Sequence, residues 1–76
     1  MECKTLHFSR HAFERMFQRG VEPSAVVHIV AEAEIIFEYS DDKPYPSALL
    51  LGSYGKQAIH VVVARSTAGE CHLAVC

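Results

Sequence analysis

Pro23-Ser-Ala-Val-Val-His-Ile-Val-Ala-Glu-Ala-Glu-Ile-Ile-Phe-Glu-Tyr39 changes its hydrophobic period part-way along. Up to Ala33, the apolar residues Ala25, Val26, Ile29, Val30 and Ala33 recur three and four apart, which lines one face of a helix. Pro23 suits the first helical position, where its missing N–H costs nothing. His28 and Glu32 fall on the other face. Beyond Ala33 the period is two: Ile35, Phe37 and Tyr39 alternate with Glu34, Glu38 and Ser40, with Ile36 out of step. A helix that hands over directly to a strand points to an α+β chain.

Upstream lies Ser9-Arg-His-Ala-Phe-Glu-Arg-Met-Phe-Gln-Arg-Gly20. Ser9 is a good N-cap, because its hydroxyl can accept from a free backbone N–H of the first turn. Gly20 suits the left-handed residue that ends a helix. Between them His11, Arg15 and Arg19 repeat every four residues and form one polar stripe. Ala12, Phe13, Met16 and Phe17 make the face expected to meet the core.

Downstream, Ser40-Asp-Asp-Lys-Pro-Tyr-Pro46 is a loop, and Ala48–Leu51 reads as a strand. Gly52–Lys56 reads as a hairpin turn. Ala58–Arg65 is the strongest strand, rich in β-branched residues. Thr67–Glu70 turns again, and Cys71–Cys76 makes the last strand. Leu6-His7-Phe8 is an extended lead-in. Short connections favour an antiparallel meander. The expected fold is therefore a single α+β domain over residues 1–76, with two N-terminal helices packed on a meander sheet of about four strands.

Half of the 76 residues are hydrophobic, enough for one core but with a thin stability margin at this length. The net charge of −2 is unevenly spread. In residues 1–20, Lys4, Arg10, Arg15 and Arg19 outweigh Glu2 and Glu14. In residues 21–46, Lys43 stands alone against Glu22, Glu32, Glu34, Glu38, Asp41 and Asp42. The chain as a whole is not a basic nucleic-acid binder, and only the first helix offers a cationic surface. The three cysteines, Cys3, Cys71 and Cys76, form no CxxC pair. With no apolar leader and no run of about 20 apolar residues, they read as reduced thiols of a cytoplasmic protein with no membrane span.

Several residues could carry chemistry. His60 sits mid-strand between Ile59 and Val61, and the apolar surroundings suggest a pocket where helices meet sheet. It is a hydrogen-bonded structural histidine, a general acid or base, since imidazole titrates near neutral pH, or a metal ligand. The His11–Arg15–Arg19 stripe is either a solvated helix face or a phosphate or carboxylate site, with guanidinium supplying paired donors. Tyr39, Tyr45 and Tyr54 read first as half-buried aromatics, with Tyr39 a candidate substrate contact. Asp41 and Asp42 read as turn acids. Zinc needs three or four converging ligands, and neither His7 with His11 nor Cys71 with His72 makes a convincing pair. No metal or other cofactor is therefore assigned. There is no Gly-rich phosphate loop and no nucleophile elbow.

Ser9-x-His11-Ala12-x-x-Arg15-Met16-x-x-Arg19-Gly20-Val21 resembles the opening signature of domain-of-unknown-function family 4258, a set of small, mostly bacterial proteins. The order continues with an acidic strand ending in Tyr39, a Pro-containing loop, Leu49-Leu50-Leu51-Gly52 and Ile59-His60-Val61-Val62, so the resemblance runs from Leu6 to Val75. Members often carry a Tyr and a Pro just after the last strand, which this chain, ending at Cys76, lacks. Two helices followed by a meander is also similar to the RelE and barnase-like ribonuclease toxins, which cleave RNA without metal. That similarity implies a metal-independent endoribonuclease in which His11 and His60 act as acid and base. Arg15 would then stabilise the phosphorane, with Arg19 and Tyr39 holding RNA. The competing reading is a non-catalytic module that binds a protein partner or a second copy through an apolar patch or sheet edge. A third is a purely structural role for these side chains. The enzyme reading requires His11, Arg15 and His60 to converge.

Overall fold

A computed structural model describes residues 1–75. The elements in chain order are β1 (Thr5–Phe8), α1 (Arg10–Arg19), α2 (Pro23–Glu32), β2 (Glu34–Tyr39), β3 (Ser47–Tyr54), β4 (Gln57–Arg65) and β5 (Glu70–Val75). They form one sheet of order β1-β5-β4-β3-β2. The meander β2 to β5 is antiparallel, as its short connections require. The α+β expectation therefore holds. The count of four strands is corrected to five, and the all-antiparallel sheet to a mixed one, because the lead-in Leu6-His7-Phe8 is a strand, β1, that pairs parallel with β5. A parallel neighbour needs a long crossover, and here the rest of the chain supplies it.

Both helices lie on one face of the sheet. Ile59, Val61 and Val63 of β4, Leu50 of β3, and Cys71, Leu73 and Val75 of β5 point towards them and are buried with Ala12, Met16, Val26, Ile29 and Val30. The caps of α1 are those read from sequence. Ser9 Oγ accepts from the Ala12 N–H at 3.0 Å, and Gly20 ends the helix at φ 66°. The face of α1 needs correction. Ala12 and Met16 are buried, whereas Phe13 is 49% exposed and Phe17 89%. An i, i+4 stripe is all that this ten-residue helix buries against the sheet. Phe13 stacks on Phe8 of β1 with ring centroids 5.3 Å apart, and Phe17 turns to solvent.

Two further expectations change. The β3–β4 turn is tighter than Gly52–Lys56, consisting of Gly55 and Lys56 between Tyr54 and Gln57. Gly52 belongs to β3 and faces α2, where an added Cβ would sit 2.7 Å from Ile29 Cγ2. The cysteines are not all free thiols, since Cys3 and Cys71 form a disulfide across 68 positions of sequence. The strand at Cys71 and the segment at Cys3 run side by side along the β1–β5 pair, a proximity that only the parallel pairing creates. Cys76 lies outside the described residues, as does its expected place in the last strand.

Candidate functional site

The residues singled out in the sequence fall in two places. His11 and Arg19 are exposed on α1 and Arg15 is half-buried there. Arg10 pairs with Glu14 at 3.3 Å, one turn along the helix. Among the described residues, no acidic group lies within ion-pair distance of Arg15 or Arg19. The last turn of α1 is tied to β4 by Gln57 Nε2, which donates to the Arg19 carbonyl at 3.4 Å. This stripe belongs to the helical layer.

His60 does not. Strand alternation sends Ile59 and Val61 into the core beneath the helices and His60 to the uncovered face, opposite Leu51 of β3. Its expected place where helices meet sheet is thus corrected, because only one face of β4 is roofed. The sheet itself lies between His60 and the His11–Arg15–Arg19 stripe, so the three residues named for acid–base chemistry do not share a site. Tyr39 is on the same uncovered face as His60. Neither of two open surface hollows is lined by any of these residues. One, of about 640 Å³, lies beside Met1, Lys4, Val30 and Arg65. The other, of about 560 Å³, lies among Phe13, Phe17, Val21 and Pro23.

The uncovered face has an order that sequence reading missed. The register aligns His7 of β1, His72 of β5, Ala64 of β4, Ser47 of β3 and Tyr39 of β2 in one row across the sheet. The His7 and His72 rings stack at 5.0 Å, and Tyr45 from the β2–β3 loop stacks on His72 at 5.7 Å. Glu70 Oε1 lies 3.3 Å from His7 Nε2. Ser47 Oγ donates to Asp42 Oδ2 at 2.6 Å, which pins that loop to the strand. The next row is apolar, with Phe37, Leu49, Val62 and Ala74. The third holds Glu34, Leu51 and His60. Three of the five histidines therefore share this face, yet its rows contain no Lys or Arg. The available signal was the alternation of Leu6-His7-Phe8 and Cys71-His72-Leu73, each with a His between two apolar residues. Only the parallel pairing, invisible in sequence, makes the two neighbours.

At the far edge of the sheet, all six residues of β2 are exposed, including Ile35, Ile36, Phe37 and Tyr39. The Phe37 and Tyr39 rings lean together with centroids 4.8 Å apart. The pairing with β3 shifts between Ile35 and Phe37, which accounts for Ile36 falling out of step in the sequence. Among the described residues, no group of three or more His, Cys, Asp or Glu side chains is placed to hold a metal ion. No helix among them is long and apolar enough to cross a membrane.

No curated protein and no solved structure matches the chain, and the expected similarity to RelE and barnase-like toxins finds no support in either comparison. Residues 8–73 match a family described as "Domain of unknown function (DUF4258)", a span that takes in β1's last residue, both helices and the sheet as far as Leu73. The opening signature around His11, Arg15 and Arg19 and the strand motif around His60 both fall within that span, and the chain is a member of this family.

Proposed function

We propose that this chain is a non-catalytic protein-interaction module that takes an extended segment of another polypeptide along β2. The observation that carries this reading is the sheet edge itself. Unpaired backbone N–H and C=O groups run beside four large exposed hydrophobic residues, Ile35, Ile36, Phe37 and Tyr39. An incoming strand would satisfy the backbone groups and cover the side chains together. The opposite edge is a poorer template. β1 has four residues, and alternate ones, Leu6 and Phe8, are already partly buried. A library of eight-residue peptides, selected for binding and mapped by amide chemical shifts, tests this. Selected peptides should perturb Glu34–Tyr39 and slow hydrogen exchange there. Selection of nothing, or shifts confined to other elements, would sink the reading.

Metal-independent RNA cleavage is the second reading, and the His7–His72 pair favours it. One imidazole lies against a carboxylate and the second stacks on the first, which puts two groups of the kind used in acid–base catalysis side by side. Electrostatics weigh against it. Glu34, Glu70 and Asp42 lie on this face, while Arg15 and Arg19 stand behind the sheet, and RNA affinity depends on cations near phosphate. The check is cleavage of several RNAs in EDTA by wild type, His60→Ala, His72→Ala and Arg15→Ala. Loss of about 100-fold in a folded variant would support catalysis at that residue. Absence of cleavage by folded wild type would remove the ribonuclease reading.

A further inference from the structure

We infer that the segment taken by β2 is a basic strand from a different protein, an inference that rests on the interaction-module reading above and specifies its partner. The edge is framed by carboxylates. Glu32, Glu34, Glu38, Asp41 and Asp42 are all exposed within eleven residues, with Lys43 just beyond them. Glu32 is engaged by His28 at 2.9 Å and Asp42 by Ser47 at 2.6 Å. Among the described residues, Glu34 and Glu38 have no cation within ion-pair distance. They lie near the two ends of the strand, about 10 Å apart by the three β3 positions that separate their partners, and the irregular step at Ile36 sends them to opposite faces, Glu34 beside Leu51 and Glu38 beside Ala48.

This placement sets the partner's pattern. Next to Phe37, which continues the apolar row of Leu49 and Val62, and to Tyr39, whose ring leans on Phe37, the incoming strand needs aliphatic or aromatic side chains. Beside Glu38 on the other face it needs Lys or Arg. A second long cation reaches Glu34 past the irregular step at Ile36. The result is an extended segment of about six residues alternating basic and apolar side chains. A second copy of this chain is the wrong occupant. It would bring the same five carboxylates to the seam, within a Debye length of about 8 Å at physiological salt, and like charges across paired strands are destabilising. Charge thus selects between two partners that the apolar residues alone would accept equally.

The test uses the full chain and three capped eight-residue peptides alternating valine with lysine, glutamine or glutamate. Affinity is read by fluorescence anisotropy and the site by amide chemical shifts. The lysine peptide should bind at Glu34–Tyr39 on the order of 10-fold more tightly than the glutamate peptide, and should weaken as NaCl is raised. The exposed double substitution Glu34→Lys with Glu38→Lys, which leaves the core untouched, should reverse the order of the lysine and glutamate peptides. Equal binding of the glutamine and lysine peptides at β2 would overturn the basic partner while leaving the module reading standing. A dimer in sedimentation whose seam maps to β2 would overturn it in favour of a second copy. If none of the three perturbs β2 while library-selected peptides do, the basic pattern is wrong. If those fail as well, both readings fall.

Discussion

Gly52 shows how one missing side chain fixes the distance between a helix and a sheet. It sits in β3 where α2 crosses, and a Cβ there would come within 2.7 and 2.8 Å of the two γ-carbons of Ile29. Ile29 is β-branched and buried, so it has no free rotamer to swing into. Gly52→Ala should therefore cost about 1–3 kcal/mol, the usual penalty of overpacking, rather than add strand propensity. Urea denaturation checks this. The double change Gly52→Ala with Ile29→Ala should be less destabilising than the two single losses added, because the second removes the clash made by the first. Strict additivity would show that α2 does not rest on Gly52. The sequence held both residues, but a glycine next to Ser53 and near Gly55 reads as turn chemistry. Its packing role depends on a helix twenty-three residues upstream. His7 and His72 were hidden for the same reason. Each has an ordinary place in its own alternating strand, and only a contact between distant strands makes them a pair.

For the elements, what was legible is what neighbouring residues decide. Ser9 caps α1 and Gly20 ends it, both through hydrogen bonds and backbone angles within one turn. The rise and fall of the strands follows alternation in the same way. The orientation of α1 was less legible. Four apolar residues, Ala12, Phe13, Met16 and Phe17, span a wider arc than the sheet covers, and sequence cannot say which half of the arc is roofed. The structure roofs Ala12 and Met16. Met16→Ala should accordingly cost about 2–5 kcal/mol, as expected for a long side chain removed from a packed core. Phe17→Ser should leave stability within about 0.5 kcal/mol, as at most exposed positions. Thermal melts of the two variants, side by side, decide it. A Phe17→Ser loss as large as that of Met16→Ala would mean that α1 is rotated and that Phe17 faces the core.

Over the whole molecule, the first strand and the last lie together although 62 to 70 positions separate their residues, and that closure gives the sheet its fifth strand. Antiparallel meander order could be read from short loops. A parallel strand could not, since it depends on how the chain returns after two helices and three strands. Three cysteines without a local motif likewise gave no hint that Cys3 meets Cys71. The disulfide ties the segment before β1 to a core position of β5 and constrains nearly the whole chain when unfolded. For a loop of this length the chain-entropy account gives about 4 kcal/mol. A domain of this size is expected to have a total stability of only about 4–11 kcal/mol, so the bond supplies a large share. Adding reductant should therefore lower the urea midpoint of wild type sharply. Cys3→Ala should show the lower midpoint from the start and no response to reductant. It is a better probe than a change at Cys71, whose full burial would add a cavity to the lost bond. A wild-type midpoint indifferent to reductant, with both thiols titrating freely in the folded protein, would mean that β1 is held by its ladder and by Leu6 and Phe8 alone.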